Sequence, residues 1–323
     1  MRPLISILIP CYNAERWIAQ AIESSLAQTW PHKEIIVVDD GSTDHSLDII
    51  RQFDGRICWE AGPNRGGNAA RNRLLQLARG EWVQYLDADD YLLCDKIARQ
   101  MQFLATTDIE LDVVFGPITI EHWSEHNSRR ELLPIYGHDP WILLASWGLP
   151  QTGAPLWRKQ AIVDVGGWKP DQPCCQEHEL YLRLLIGGKR FAYYSTNGAV
   201  YRQWSTGTLC KRNISEVHRC RLEIEQRLED HLREKRQLTW ERLNAINQAR
   251  FQIARTAWQY DSNLAQKIID QIQRLDPKFS PRGAAAPARY RLAFQALGFQ
   301  AAEKLAAVVR SRRPAGTGQK RMA

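Results

Sequence analysis

The residues best equipped for chemistry stand in the stretch YLDADDY at 85–91, where Asp87, Asp89 and Asp90 occupy three of four consecutive positions behind the apolar run WVQYL. Like charges this close repel, and a carboxylate buried without a partner costs on the order of several kcal/mol. Such a cluster calls for a cation. Carboxylates at the end of a buried strand suit a hard divalent ion, Mg²⁺ or Mn²⁺, which prefers oxygen ligands and keeps positions open for phosphate oxygens. An acidic turn that only caps the next helix needs one aspartate, not three.

Three further stretches hold groups of the same kind. Asp39 and Asp40 close the run KEIIVVDD; they either cap the following helix, which Ser42 or Thr43 can do unaided, or accept hydrogen bonds from a ribose or a base. In NRGGNAARN (64–72), Asn64, Gly66, Gly67 and Arg71 fall at a helix start, where glycine permits close backbone approach and Arg71 can reach a diphosphate. This is neither GxGxxG nor the GK[ST] of a P-loop. In QEHELYLRLL (176–185), Glu177 sits where a carboxylate answers the helix dipole or serves as a general base. Glu179 lies four residues before Arg183 and pairs with it on one helix face, while His178 has no partner at a useful spacing.

The elements that must position these groups alternate along the first hundred residues. Strands are expected at 5–10, 33–40, 56–61 and 82–86, with helices over 14–27, from GSTD to Phe53, and from Gly66–Gly67 to Arg79. Such alternation implies a parallel sheet whose strand ends gather ligands at their carboxyl side, and PCYN (10–13), DDGS (39–42) and the acidic cluster all fall there. Beyond residue 110 the expected elements are one strand over DVVFGPITI, helices near 140–147, 157–165 and 177–186, strands near 190–194 and 198–203, and helices alone from Ser215 onward. GAAAPA (283–288) reads as a linker. Tyr290, Phe294, Leu297, Ala301, Leu305 and Val308 recur at three- and four-residue steps and predict one amphipathic helix, followed by a disordered basic end.

Charge divides along the same line. Of the 323 residues, those from Pro281 onward hold nine Lys or Arg against one Glu, a net +8, whereas the first 280 hold 34 basic against 35 acidic groups, a net −1. A near-neutral body argues against nucleic acid as a partner. The basic amphipathic end could instead rest on an anionic membrane surface. Seven cysteines, an odd number without metal-ligand spacing and with Cys174 and Cys175 adjacent, read as reduced thiols in a cytoplasmic setting. The opening apolar run is too short for a signal peptide, and no segment reaches a membrane-spanning length.

Together SILIPCYNAERWIAQAIESSLAQTW, EIIVVDDGSTD, NRGGNAARN and GEWVQYLDADDYL resemble the family-2 inverting glycosyltransferases of GT-A fold, in consistent order and spacing over about residues 1–205. The resemblance implies an α/β fold, a Rossmann-like mixed sheet with helices on both faces, as a catalytic domain over 1–210, followed by a helical extension (211–280) and the basic segment (281–323). It implies that Pro10, Cys11, Tyr12, Asp39 and Asp40 hold the nucleoside of a nucleotide-sugar donor, a UDP-sugar first among the candidates. Gly67 and Arg71 then lie beside the diphosphate. Asp87, Ala88 and Asp89 form the DxD motif and, with Asp90, hold Mg²⁺ or Mn²⁺. The acceptor is a glycan, a lipopolysaccharide or exopolysaccharide, or a lipid-linked intermediate.

Two departures from the family pattern stand out. The base of the family sits in an ED pair six residues before an Arg; Glu177 is six before Arg183, with Gln176 in place of the Glu, so Glu177 becomes the expected base and Glu179 its fallback. Trp204 replaces the usual His in YRQW, and an indole offers one N–H donor. Trp157 and Trp168 could stack on an acceptor sugar or pack in the core. Two other classes share some of these features: a nucleotidyltransferase, and a non-catalytic sugar-nucleotide-binding module.

Overall fold

The computed structural model describes residues 2–124, 127–204 and 213–311, and the chain divides into two compact units, Met1–Cys220 and Arg221–Ala323. At the centre of the first unit is β1 (Ile5–Cys11), whose Ile5, Ile7, Leu8 and Ile9 are wholly buried. A strand apolar on both faces has to be interior, and β1 is flanked on both sides by parallel partners, β2 (Lys33–Asp39) and β4 (Trp82–Tyr85). With β3 (Cys58–Ala61) beyond β2, the carboxyl ends of four adjacent parallel strands point the same way.

The sheet is mixed. Its order is β10-β6-β9-β4-β1-β2-β3, and β9 (Leu156–Arg158) runs antiparallel between β4 and β6 (Val113–Phe115), with β10 (Phe191–Tyr193) at the far edge. A second sheet is ordered β5-β11-β7-β8, from Tyr91–Leu92, Ala199–Gln203, Ile118–Ser124 and Asn127–Leu133. The single strand expected over DVVFGPITI is two strands, one in each sheet. The break falls at Gly116-Pro117, where a Cβ on Gly116 would lie 2.4 Å from the Tyr194 carbonyl and Pro117 has no N–H to give a ladder. Trp157, expected in a helix, is in β9 and wholly buried; the helix begins only at Lys159.

The helices of this unit are α1 (Ile18–Leu26), α2 (Ser46–Arg51), α3 (Gly67–Leu77), α4 (Lys96–Ala105), α5 (Pro140–Ala145), α6 (Lys159–Asp164) and α7 (Gln176–Ile186). The first starts four residues later than its pattern suggests, because the preceding backbone has other partners. Ala14 N–H donates to Ser46 Oγ (2.8 Å) and Glu15 N–H to Asp44 Oδ2 (3.0 Å). Those bonds fasten the loop after β1 to the loop after β2. Gly41 holds the same corner at φ +77°, and a Cβ there would stand 2.6 Å from the Asn64 amide nitrogen. Gly41→Ala should therefore cost at least about 2 kcal/mol, since it forces both a left-handed alanine and a displaced loop; urea unfolding of the two proteins checks this.

The second unit is helical: α8 (Ile214–Glu234) carries the chain across the division, followed by α9 (Trp240–Ala257), α10 (Ser262–Leu275) and α11 (Ala288–Ser311). Thr239 and Asp261 cap α9 and α10 through their side chains. Phe251 lies at the middle of an aromatic core with Phe279, Tyr290, Phe294 and Phe299. Two expectations change here. GAAAPA is not a free linker, because Ala286 is wholly buried in that core. The amphipathic stripe expected on α11 is split at Gly298, whose φ of +80° and ψ of 176° re-phase the residues after it: Tyr290 and Phe294 are buried, but Leu305 beyond the kink and Leu297 beside it are exposed. The basic end expected to be disordered lies, from residue 312, outside the described residues. No described helix is long and apolar enough to cross a membrane, and no described cysteine is in a disulfide.

Candidate active site

A cleft of about 320 Å³ opens at the carboxyl ends of β1, β2 and β4. Pro10, Cys11, Tyr12, Asp40, Gly67, Arg71, Asp87, Ala88 and Asp89 line it, four loops that the parallel sheet brings together. Asp39 is beside the cleft but not in its lining. Its carboxylate accepts from Ser42 Oγ (2.5 Å) and Ser42 N–H (3.1 Å), which closes the turn after β2. Asp40 accepts two backbone bonds, from Arg65 N–H and Gly66 N–H (both 2.8 Å), and so holds the glycine loop against the start of α3. Tyr12 is half exposed and presents its ring to the cleft. Burial, with Asp39 nearby, pushes the Cys11 thiol up to about 12, so it stays protonated and inert at neutral pH.

The three aspartates of YLDADDY part company. Asp87 and Asp89 face the cleft. Asp90 is buried, and its Oδ1 accepts from the Arg202 backbone N–H at 2.7 Å. Among the described residues no three His, Cys, Asp or Glu side chains form a metal-holding group, and Asp90 turns away from the cleft that Asp87 and Asp89 line. Burial and the charge of Asp87 raise Asp89 above the ordinary carboxylate value, with the Trp204 indole pulling the other way. Burial, then Asp89 and Asp87, raise Asp90 well above it. This is the signature of a negative site short of positive charge.

Arg71 supplies part of that charge. Its Nη2 pairs with Asp87 Oδ1 at 2.8 Å, and its guanidinium lies over the buried Trp168 ring at 4.9 Å. Burial lowers the Arg71 pKa, but Asp87 and Glu177 outweigh it and hold the group above the usual arginine range. Glu177 is thus in electrostatic reach of the cleft although it does not line it. Its Oε1 accepts from the hydroxyl of Thr152, a wholly buried residue, at 2.7 Å. Two residues before Glu177, Cys175 stands at the N-cap of α7 and sits at φ +59°, a left-handed conformation that costs a non-glycine residue about 1–2 kcal/mol. Glu179 is placed differently: it is buried, with Lys169 at 3.0 Å and Arg183 at 2.7 Å. Trp168 and Trp157 are core residues and offer no face to a sugar.

Residues outside the sequence-derived set do much of the positioning. Asn13, Ala14, Trp17, Ala70 and Trp204 also line the cleft. Trp204 donates its indole N–H to Asp89 Oδ2 at 2.9 Å, so the departure from the family pattern keeps a hydrogen-bond donor at that place. Arg202 is almost wholly buried; it donates to the Asp89 carbonyl (2.6 Å), Glu121 (3.2 Å) and Gln20 (2.8 Å), and its guanidinium lies 4.3 Å from the Trp17 ring and 4.9 Å from Tyr91. It ties the second sheet to the acidic loop. The sequence signal was the R of YRQW, but its partners are as many as 182 positions away.

Comparison with known proteins agrees with this architecture. Residues 6–162 match the model of the family described as glycosyl transferase family 2. An uncharacterized glycosyltransferase of Nostoc is 39% identical over 219 residues, covering 60% of this chain and 65% of that one. The Escherichia coli UDP-Glc:alpha-D-GlcNAc-diphosphoundecaprenol beta-1,3-glucosyltransferase WfaP is 41% identical over 108 residues, 33% of this chain and 43% of its own length. The chain spans less than half the length of the first curated relatives it matches. Among solved structures, Staphylococcus aureus TarS 1–349 superposes with a TM-score of 0.61 at 16% identity, covering 96% of this chain and 92% of that one. A likeness at that identity shows a shared fold, here the GT-A arrangement of a mixed α/β sheet followed by helices. With that fold, residues 6–162 carry the sequence pattern of glycosyl transferase family 2, and it runs through the loops that build the cleft.

Proposed function

We propose that this chain transfers a sugar from a nucleoside-diphosphate sugar, a UDP-sugar first among the candidates, to an acceptor hydroxyl, with inversion at the anomeric carbon. The observation that carries the reading is Arg71, which pairs with Asp87 inside the cleft and has its pKa held up by Asp87 and Glu177 together. Asp87 thus contacts that guanidinium directly, and Glu177 acts on it through its charge.

The cleft divides the labour by chemistry. The exposed ring of Tyr12 offers a face for a nucleobase, and the loop held by Asp40 brings the backbone of Gly67 and the Arg71 guanidinium to a diphosphate. Asp87 and Asp89 suit a divalent cation, Mg²⁺ or Mn²⁺: they are two cleft-facing carboxylates, and Asp89 is raised for want of positive charge. When bound, such an ion supplies electrostatic stabilisation of the departing diphosphate. Trp204 keeps Asp89 oriented through its indole N–H. Glu177, oriented by Thr152, takes the proton of the acceptor hydroxyl as that oxygen attacks. Glu179 has both oxygens engaged by cations, which favours Glu177 as the base.

The names of relatives, an E. coli glucosyltransferase acting on a diphosphoundecaprenol-linked sugar and a putative teichuronic acid biosynthesis glycosyltransferase of Bacillus subtilis, support a lipid-linked or cell-envelope glycan as the acceptor class. A donor panel tests the reading: UDP-, GDP- and dTDP-sugars with Mn²⁺ or Mg²⁺, in the presence of lipid-linked and free-glycan acceptors. The expected result is nucleoside diphosphate release from one donor. Pyrophosphate release would point to a nucleotidyltransferase instead. Saturable nucleotide binding with no turnover of any donor would mark a binding module.

A further inference from the structure

We propose that the outward side of α11 is a docking surface for an anionic lipid bilayer. Helix α11 is apolar on two sides. Its inner side, Tyr290, Phe294, Phe299 and Ala302, completes the core of the second unit. Its outer side exposes Leu292 (68%), Leu297 (61%), Leu305 (50%) and Val309 (58%). A single exposed leucine is ordinary, but a helix that has already buried one apolar face needs no second one for folding. The Gly298 kink contributes: it re-phases the residues after it, so that Phe299 and Ala302 are buried while Leu305 and Val309 are exposed, and Leu297 beside the kink is exposed as well.

Charge selects the occupant. Residues 288–323 contain eight Lys or Arg and one acid, Glu303. That acid is wholly buried and paired with Arg255 at 2.5 Å, so it adds no exposed negative charge to the ridge. Arg289 and Lys304 are exposed beside the apolar positions, and five more Lys or Arg follow from residue 310 onward in the sequence. Exposed leucines flanked by cations, on a helix whose one acid is buried, are what an interfacial helix needs: side chains that enter the headgroup boundary and charges that attract anionic lipid. A second copy docking ridge to ridge would bring these cations together with no exposed acid of α11 to answer them. The inference stands apart from the glycosyltransferase reading, because it concerns a surface of the second unit and not the cleft.

Co-sedimentation of the full chain with vesicles tests it. The protein is expected to pellet with phosphatidylglycerol/phosphatidylethanolamine vesicles, to stay in the supernatant with pure phosphatidylcholine, and to be released by 500 mM salt, a roughly three-fold shorter screening length than at 50 mM. The triple variant Leu292→Gln/Leu297→Gln/Leu305→Gln should bind anionic vesicles at least about ten-fold more weakly, with unchanged circular dichroism and unchanged nucleotide binding. Wild-type protein that ignores anionic vesicles, or a triple variant that binds them as wild type does, would overturn the proposal. So would a wild-type dimer in light scattering that the triple variant converts to monomer without any vesicle binding in either form, which would assign the ridge to a second copy. Vesicle binding that persists in a chain inactive with every donor leaves this inference standing and removes only the catalytic reading.

Discussion

Asp89→Asn should lower donor turnover about 1,000-fold, equivalent to about 4 kcal/mol of lost transition-state stabilisation. The substitution is nearly isosteric, and an amide oxygen still accepts the Trp204 indole N–H that Asp89 receives at 2.9 Å. What disappears is one of the cleft-lining negative charges, and with it the hard anionic oxygen that a divalent cation needs. As the sugar leaves, charge accumulates on the diphosphate, and Arg71, already shared with Asp87, cannot neutralise it alone. The fall should appear in kcat, and Mn²⁺ affinity by isothermal titration in the presence of the nucleoside diphosphate should fall with it. Trp204→Phe is the informative contrast, because it removes the donor and keeps the charge; a loss within about ten-fold is expected, the scale of one hydrogen bond. If Asp89→Asn retained near wild-type turnover and Mn²⁺ affinity, the charge would have to be held elsewhere in the cleft.

Glu177→Gln should lower kcat by about 100- to 10,000-fold, the range of a general base, with the KM for the donor changed only a few-fold. The amide keeps the contact with Thr152, because its carbonyl can accept the same hydroxyl proton that Glu177 Oε1 accepts at 2.7 Å. Folding should therefore be intact, and thermal unfolding serves as the control. Glu179→Gln separates the two carboxylates. Breaking a buried pair with Lys169 and Arg183 should cost stability, about 3–5 kcal/mol, before it costs chemistry. A Glu177→Gln enzyme within a few-fold of wild type in kcat would remove Glu177 from the base role.

The chemistry was unusually legible because it depends on short spacings. Nine of the ten residues expected to hold the donor line one cleft, since each sits within four residues of the carboxyl end of a strand or within the first five residues of α3. A parallel sheet has one carboxyl side, so reading the strands in the sequence already implies that their following loops converge. Asp90 marks where spacing stops being informative. Spacing gives three carboxylates in four positions, but only the fold decides that one of them turns inward to the Arg202 backbone.

What the amino-acid sequence determined by itself was local: the buried strands, from apolar runs interior on both faces, and the loops that carry charge beyond them. What tertiary structure alone decided was partnership across distance. The switch of DVVFGPITI between two sheets follows from how closely Gly116 must approach Tyr194. The pairing of Thr152 with Glu177 and the anchoring of the acidic loop by Arg202 join residues 25 and 113 positions apart. On α11, a periodicity continuous in the sequence is split by one glycine into a core face and an exposed ridge. The reason is common to all four: residue spacing sets which side chains share a face over a few turns or a strand, whereas which distant group meets that face depends on the shape and charge of the packed whole.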